Sequence, residues 1–340
     1  MATMRDVARR AGVSTSTVSF VVNGTRPVAP ATRARVEAAM ADLGFRRNVL
    51  ARALASNRTR IVALVFPALE HRLGSTAMSI VTSAAVAASE RGFHLVLWPV
   101  SSDPRQLEEY VSGGLVDAVT LMEVTLDDPR VDVLARLGVP FALMGRPQVS
   151  NGLSFVDMDF EDAVERGIEH LTSLGHERIA LLIGELESPA LTSYGPIVRT
   201  TDAFERVMRA RGLDPVVLRA HQSPAAGRDA AHRLRDAHPD VTGVLVLNEQ
   251  AVYGFVGELE RSGVKVPDDL SVLAVATSPD PISRADPVVS SFVAPGTEMG
   301  RLAVEQMLHL LDEPQAPPTQ TLVPMELQIA GSTARVADAR

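Results

Sequence analysis

A chain of 340 residues is too long for one small domain and suits two or three. Its 46% hydrophobic and 22% charged residues are ordinary for a soluble globular protein, and the absence of cysteine excludes a disulfide framework and a cysteine-ligated zinc site. The net charge of −8 argues, taken alone, against a nucleic-acid binder. The distribution argues the other way. Residues 1–60 hold 11 Arg and 3 acidic residues, about +8, which leaves about −16 on the rest. Only one lysine, Lys265, occurs, so arginine richness is partly general composition; the scarcity of acids in the first sixty residues is not.

In chain order, "MRDVARRAG" places Val7, Ala8 and Ala11 on one face of a helix that Gly12 can end in the left-handed conformation. Ser14 can cap the next helix, in which Val18, Val21 and Val22 turn inward and Thr15, Ser16, Ser19 and Phe20 form the opposite strip. Asn23 and Gly24 stop it. Two short helices around a tight glycine turn describe a helix-turn-helix. A third helix is expected from Pro30 to about Leu43, with Val36, Ala39, Met40 and Leu43 as its inner face. The strip then suits a DNA major groove: hydroxyls reach base edges or phosphates, and Phe20 reaches apolar groups such as thymine methyls. The bland alternative is a three-helix bundle with a mildly polar face.

The next stretch, "GFRRNVLARALASNRTR", holds little more than two helical turns at 48–56, too short to be stable alone in water. Its apolar residues have no obvious core, and Arg46, Arg47, Arg52, Arg58 and Arg60 flank them. A helix that forms only against DNA and a partner copy fits, with an apolar wedge in the minor groove. A basic linker is the alternative.

From residue 60 to about 295, apolar strand-like runs alternate with helical ones. "RIVALVFP", "FHLVLWPV", "VDAVTLME" and "PFALMGRP" form one set, and "RIALLIG", "VVLRA", "GVLVLNE" and "SVLAVA" a second. Continuous apolar strands between helices predict parallel sheets covered on both faces, in two similar lobes. Ligands in such folds sit beyond the carboxyl ends of strands. That rule selects Leu69, Glu70 and His71 after the first strand, Met122 and Glu123 after the third, Arg199 near a helix start, and Asn248 and Glu249 after the eighth. For each, a solvated loop residue is the alternative.

The eight histidines show no metal-ligand spacing, and G-x-S-x-G, a Walker loop and a strand-linked G-x-G-x-x-G are all missing. No catalytic residue, metal or cofactor is expected. With no charged-then-apolar leader and no run of about 18 apolar residues, a cytoplasmic protein without membrane contact is expected.

The chain resembles the lactose-repressor (LacI/GalR) family over nearly its whole length. "MRDVARRAGVSTSTVSFVVNG", "VAPATRARVEAAMADLGF" and "NVLARALASNRTRIVALVFP" match its head, third helix and hinge in order, followed by "LGHERIALL", "VPDDLSVLAVA" and "ELQIAGST". The resemblance implies a helix-turn-helix head at 1–46, a hinge helix at 47–60, and an effector-binding and dimerisation body at 61–340. The implied body has the bilobed α/β, periplasmic-binding-protein-like fold, its chain crossing between two parallel-sheet lobes near 154–161, 276–286 and 293–297. It puts Thr15, Ser16 and Phe20 at base-reading positions and Leu54 at the minor-groove lever. The candidate DNA contacts are Thr15, Ser16, Thr17, Ser19, Phe20 and Asn23 in the head, and Arg47, Asn48, Ala51, Arg52 and Leu54 in the hinge. The candidate ligand contacts are His71, Glu123, Arg199, Asn248 and Glu249; Asp157 and Asp159 match a crossover motif with a structural role.

Departures from the family pattern carry information. Phe20 stands where arginine is common, so the operator should differ from the usual family pattern there; Arg47 stands where proline is common, which changes how the hinge helix is expected to start. Glu249 replaces the Asp of an Asn-Asp pair, Ala276 replaces an acidic residue, and Arg199 lies one position from the family's ligand arginine. These argue against an ordinary monosaccharide as effector. The expectation is a homodimeric, effector-responsive repressor on a near-palindromic double-stranded DNA operator, its small-molecule effector a carbohydrate or glycoside. Competing readings are a solute-binding protein of a transporter, which leaves the head unexplained, and an α/β enzyme with a DNA-binding head, which needs a nucleophile-base pair.

Overall fold

The structure is a computed structural model that describes residues 2–23, 26–45, 58–66, 74–100, 103–186, 188, 191–278 and 287–336, with Asn23 described in its backbone alone. It divides into two compact units, Met1–Thr59 and Arg60–Arg340.

In the first unit, α1 (Met4–Ala11) opens with a reciprocal cap: the Asp6 carboxylate accepts the Thr3 N–H at 3.0 Å, and the Thr3 hydroxyl accepts the Asp6 N–H. It closes at Gly12, whose φ of 65° is left-handed backbone that a β-carbon disfavours. Ser14 starts α2 (Thr15–Asn23), its hydroxyl accepting the Thr17 N–H at 3.1 Å. Pro30 opens α3 (Pro30–Asp42), where its missing N–H costs nothing. Val7, Ala8 and Ala11 meet Val18, Val21, Val22, Val36 and Ala39 in one small core. One expectation needs correcting. Leu43 lies one residue past α3 and is 37% exposed, because the helix ends before it can turn inward.

The second unit is built on two six-stranded sheets. In lobe 1 the strand order is β11-β5-β4-β3-β1-β2, all parallel, from β1 (Ile61–Phe66), β2 (His94–Pro99), β3 (Ala118–Met122), β4 (Phe141–Met144), β5 (Phe155–Met158) and β11 (Gln320–Val323). In lobe 2 it is β12-β10-β9-β8-β6-β7, from β6 (Ile179–Glu185), β7 (Val216–His221), β8 (Gly243–Leu247), β9 (Ser271–Thr277), β10 (Ser290–Val293) and β12 (Glu326–Gln328). Among the described residues, eight helices connect these strands: α4 (Ser75–Glu90), α5 (Pro104–Ser112), α6 (Pro129–Leu137), α7 (Phe160–Ser173), α8 (Gly195–Ala210), α9 (Pro224–Ala237), α10 (Ala251–Arg261) and α11 (Gly296–Asp312). Strands β1 and β8 read as unbroken apolar runs, β3 is interrupted only by Thr120 and β6 is apolar up to Glu185, because helices cover both faces of each sheet.

The predicted sets of four strands each gain two more, and lobe 2 is not wholly parallel, since β12 runs antiparallel to β10. The chain leaves lobe 1 between β5 and α7 and returns between β10 and α11. The expected crossing near 276–286 is not one: β9 and β10 on either side of it are parallel neighbours in one sheet. The third crossing lies at 323–326, where β11 of lobe 1 gives way to β12 of lobe 2.

Lobe 1 depends on an unusually close helix pair. A β-carbon on Gly300 of α11 would overlap the Ile80 carbonyl oxygen and come within 2.8 Å of the Ala84 nitrogen, and one on Gly296 would overlap the Ser79 hydroxyl. The backbones of α4 and α11 therefore touch, and the Ser83 hydroxyl donates to the Thr297 carbonyl across the seam. Among the described residues, no helix is long and apolar enough to cross a membrane, and no group of three or more His or acidic side chains is arranged to hold a metal ion.

Candidate functional site

Two surfaces carry chemistry, one in each unit. On α2, Thr15 and Ser16 are exposed while Thr17, Ser19 and Phe20 are half-buried. The Ser14 hydroxyl lies 2.8 Å from those of Ser16 and Thr17, so the hydroxyls form a connected cluster at the helix N-terminus. The Arg26 guanidinium lies over the Phe20 ring, 5.2 Å from its centre, and supplies a cation beside the one large apolar group. Exposed Arg10 pairs with Asp42 at 2.9 Å, and Arg9 and Arg33 lie 3.8 Å from Asp6 and Glu37. Arg47, Asn48, Ala51, Arg52 and Leu54 lie outside the described residues, as do the side chain of Asn23 and His71 of the ligand set.

In the body, the carboxyl ends of the strands converge on a cavity of about 170 Å³ between the lobes. Lobe 1 contributes Met122 at the end of β3 and Glu123 after it; lobe 2 contributes Phe160 at the start of α7, Asn248 and Glu249 after β8 and Ala276 from β9. A smaller chamber of about 70 Å³ continues inward past Tyr194 to Asp157.

Glu123 is 6% exposed, and its φ of 56° is left-handed backbone for a residue with a β-carbon, a conformation that costs of order 1–3 kcal/mol unless the surroundings enforce it. Ala276 has φ 54° at a bulge, where the register of β9 against β10 shifts. The Glu249 carboxylate accepts the Ser278 N–H at 3.1 Å and reaches Gly74 at the start of α4, where a β-carbon would lie 2.7 Å from it. Gly74 has ordinary extended backbone, so here the glycine makes room for an acid from the opposite lobe.

The candidate ligand residues separate. Glu123, Asn248 and Glu249 all line the cavity. Asn248 is 3% exposed and its amide is engaged by backbone: it donates to the Ala220 carbonyl at 3.0 Å and accepts the Ala251 N–H at 3.0 Å, capping α10. Arg199 departs from the expectation and does not line the cavity. It turns from α8 to the lobe junction, donating to the carbonyls of Arg146 at 2.8 Å and Pro147 at 3.3 Å, 4.0 Å from Glu161. Arg146 pairs there with Asp157 at 3.2 Å and Glu161 at 2.7 Å. Burial pushes the Asp157 carboxyl up to about 6, against the pull of Arg199 and Arg146. Asp159 caps α7, accepting the Asp162 N–H at 3.0 Å.

Tyr194 is the cleft residue that the strand-end rule overlooks. Its phenol borders both cavities, and burial, helped by Glu123 and Asp157, holds it well above the usual tyrosine range. Extending the rule to residues just before a helix start, as in "YGP", would have found it. Phe160 and Gln222 also line the cavity; the first is hidden inside the crossover motif, and the second follows a half-exposed strand.

Residues 3–48 match the family described as bacterial regulatory proteins, lacI family, and residues 168–333 match the periplasmic binding protein-like domain. The transcriptional regulator CelR of Thermobifida fusca is 32% identical over 325 residues, 92% of this chain and 94% of its own. Among solved structures, the lac repressor bound to ONPG in its repressed state superposes with a TM-score of 0.83 at 28% identity, over 98% of this chain and 99% of that one. A CelR–cellobiose complex gives 0.71 at 28%, over 98% and 100%. A helix-turn-helix head of this shape, a two-lobed body with a cleft, and similarity along the full length agree: the chain belongs to the lacI family of bacterial regulatory proteins and is a transcriptional regulator.

Proposed function

We propose that the protein is a cytoplasmic, effector-responsive repressor that grips a near-palindromic operator as a homodimer and catalyses no reaction of its own. The observation that carries this is the exposed strip of α2 on a head of about +8, backed by a core that uses up the opposite face of that helix. Thr15, Ser16, Thr17, Ser19, Phe20 and Asn23 read the major groove. Arg47, Asn48, Ala51, Arg52 and Leu54 contact the minor groove and phosphates, with Leu54 as the wedge. The body carries about −16 and is left to hold a partner copy and the effector.

For the effector, the cleft favours a small hydroxylated molecule of the carbohydrate or glycoside class. Glu123, Glu249 and the Tyr194 phenol offer polar partners, while Met122, Phe160 and Ile197 offer apolar faces. An effector that binds one lobe arrangement better than another shifts operator affinity by about 1–3 kcal/mol of coupling. The test is selection from random duplex DNA at moderate salt, with the full chain and with the fragment Arg60–Arg340. The full chain should enrich a symmetric site, losing affinity steeply as salt rises, and the fragment should enrich nothing. Absence of any sequence preference in the full chain rejects the reading.

A further inference from the structure

We propose that Asp128 and Arg130 are positioning residues for the effector cleft: a buried ion pair inside lobe 1 fixes the exit of β3 so that it clasps lobe 2. That an effector occupies the cleft rests on the reading above; the clasp itself does not.

Both side chains are almost completely buried, at 1% and 2% exposure. A charged pair this deep gives little net stability compared with apolar residues of the same shape, so its presence calls for a role in geometry. Its bonds supply one. The Arg130 guanidinium forks onto Asp128, donating at 2.9 Å to one oxygen and 2.7 Å to the other, and also donates to the Glu123 carbonyl at 2.9 Å. Asp128 in turn accepts the Thr125 N–H at 3.1 Å. The pair thus grips the backbone at both ends of the turn, and Glu123, at one of those ends, is the residue held in left-handed backbone.

That turn reaches the other lobe. The Leu126 N–H donates to the Ser193 carbonyl at 2.8 Å, Thr125 and Tyr194 form an isolated antiparallel bridge, and the Gly195 N–H points at the Val124 carbonyl at 3.4 Å. The two segments pack closely here: a β-carbon on Gly195 would meet the movable end of the Arg199 side chain and lie 3.4 Å from the Val124 carbonyl. One short segment therefore places the Glu123 carboxylate at the cavity and fastens the lobe that carries Tyr194. Asp128 and Arg130 touch neither cavity; they act through Glu123 and Thr125.

Hydrogen exchange followed by mass spectrometry on the full chain, without DNA or effector, tests this. Lysine keeps the charge of Arg130 but cannot fork to two oxygens and a carbonyl together. In Arg130→Lys, exchange should speed up about ten-fold in two segments, 123–127 and 191–196, while β3 stays within about two-fold of the parent. The second segment is the decisive readout, since it belongs to lobe 2 and a purely structural role in lobe 1 would leave it unmoved. Acceleration confined to lobe 1, or spread evenly over its sheet, overturns the proposal. Should Arg130→Lys not fold, Asp128→Asn keeps the shape, and a rise of about three-fold in the same two segments is expected; unchanged rates there overturn it equally. Neither measurement involves operator binding, so the outcome stands apart from that reading.

Discussion

Phe20 stays at the surface because Val18, Val21 and Val22 already occupy the inward positions of α2. Arg26 then stacks on it, which keeps an apolar ring beside a phosphate-seeking cation. In Phe20→Ala the head should therefore keep its melting temperature while its preference relaxes at one or two base pairs, by about 1–3 kcal/mol each. Selection from the same random duplex pool checks this, and an unchanged profile removes Phe20 from the reading surface. The sequence shows such residues because helical spacing alone separates inner valines from outer hydroxyls. It hides Arg199, whose neighbours at Arg146 and Glu161 lie 53 and 38 positions away along the chain. Proximity in a lobe junction has no local signature. Asn248 was legible as a cavity residue, yet its amide bonds to β7 could not be read from spacing.

Among the elements, the strands were the easiest to read, since apolar runs such as "IVALVF" and "IALLIG" can only be buried on two faces. The short strands β5, β10, β11 and β12 carry polar residues and escaped, and with them the true third crossing. The seam between α4 and α11 was equally silent, because a helical glycine looks like a weakness until its neighbour is known. Its tightness has a measurable consequence. Gly300→Ala should gain up to about 1 kcal/mol in helix propensity and still lose stability, by about 1–3 kcal/mol, because the added methyl pushes against the Ile80 carbonyl. Denaturant unfolding of the body measures this; equal or greater stability would mean that the two helices slide apart without cost.

For the molecule as a whole, the lobe junction sets a dependence on pH. Asp157 is raised from 3.8 to about 6 by burial, so the folded chain binds its proton more tightly than the unfolded chain does. Its contribution to stability is complete below pH 3.8 and is lost as pH rises through 6. A shift of this size is worth at most about 3 kcal/mol. Asp157→Asn should flatten that part of the profile, so thermal melts of parent and variant between about pH 4 and 6.5 should diverge; parallel curves would place the titration elsewhere. Arg146, Glu161 and Arg199 surround the group from both lobes, so the same titration bears on how the two halves meet.

The three crossings have one further implication, for the birth of the chain. Lobe 1 lacks its last strand until residue 323 has been made, and lobe 2 lacks its own until residue 328. The head needs only its first 45 or so residues. During synthesis, then, a finished DNA-gripping module leaves the ribosome well ahead of a regulatory body whose two lobes wait for residues 323 and 328.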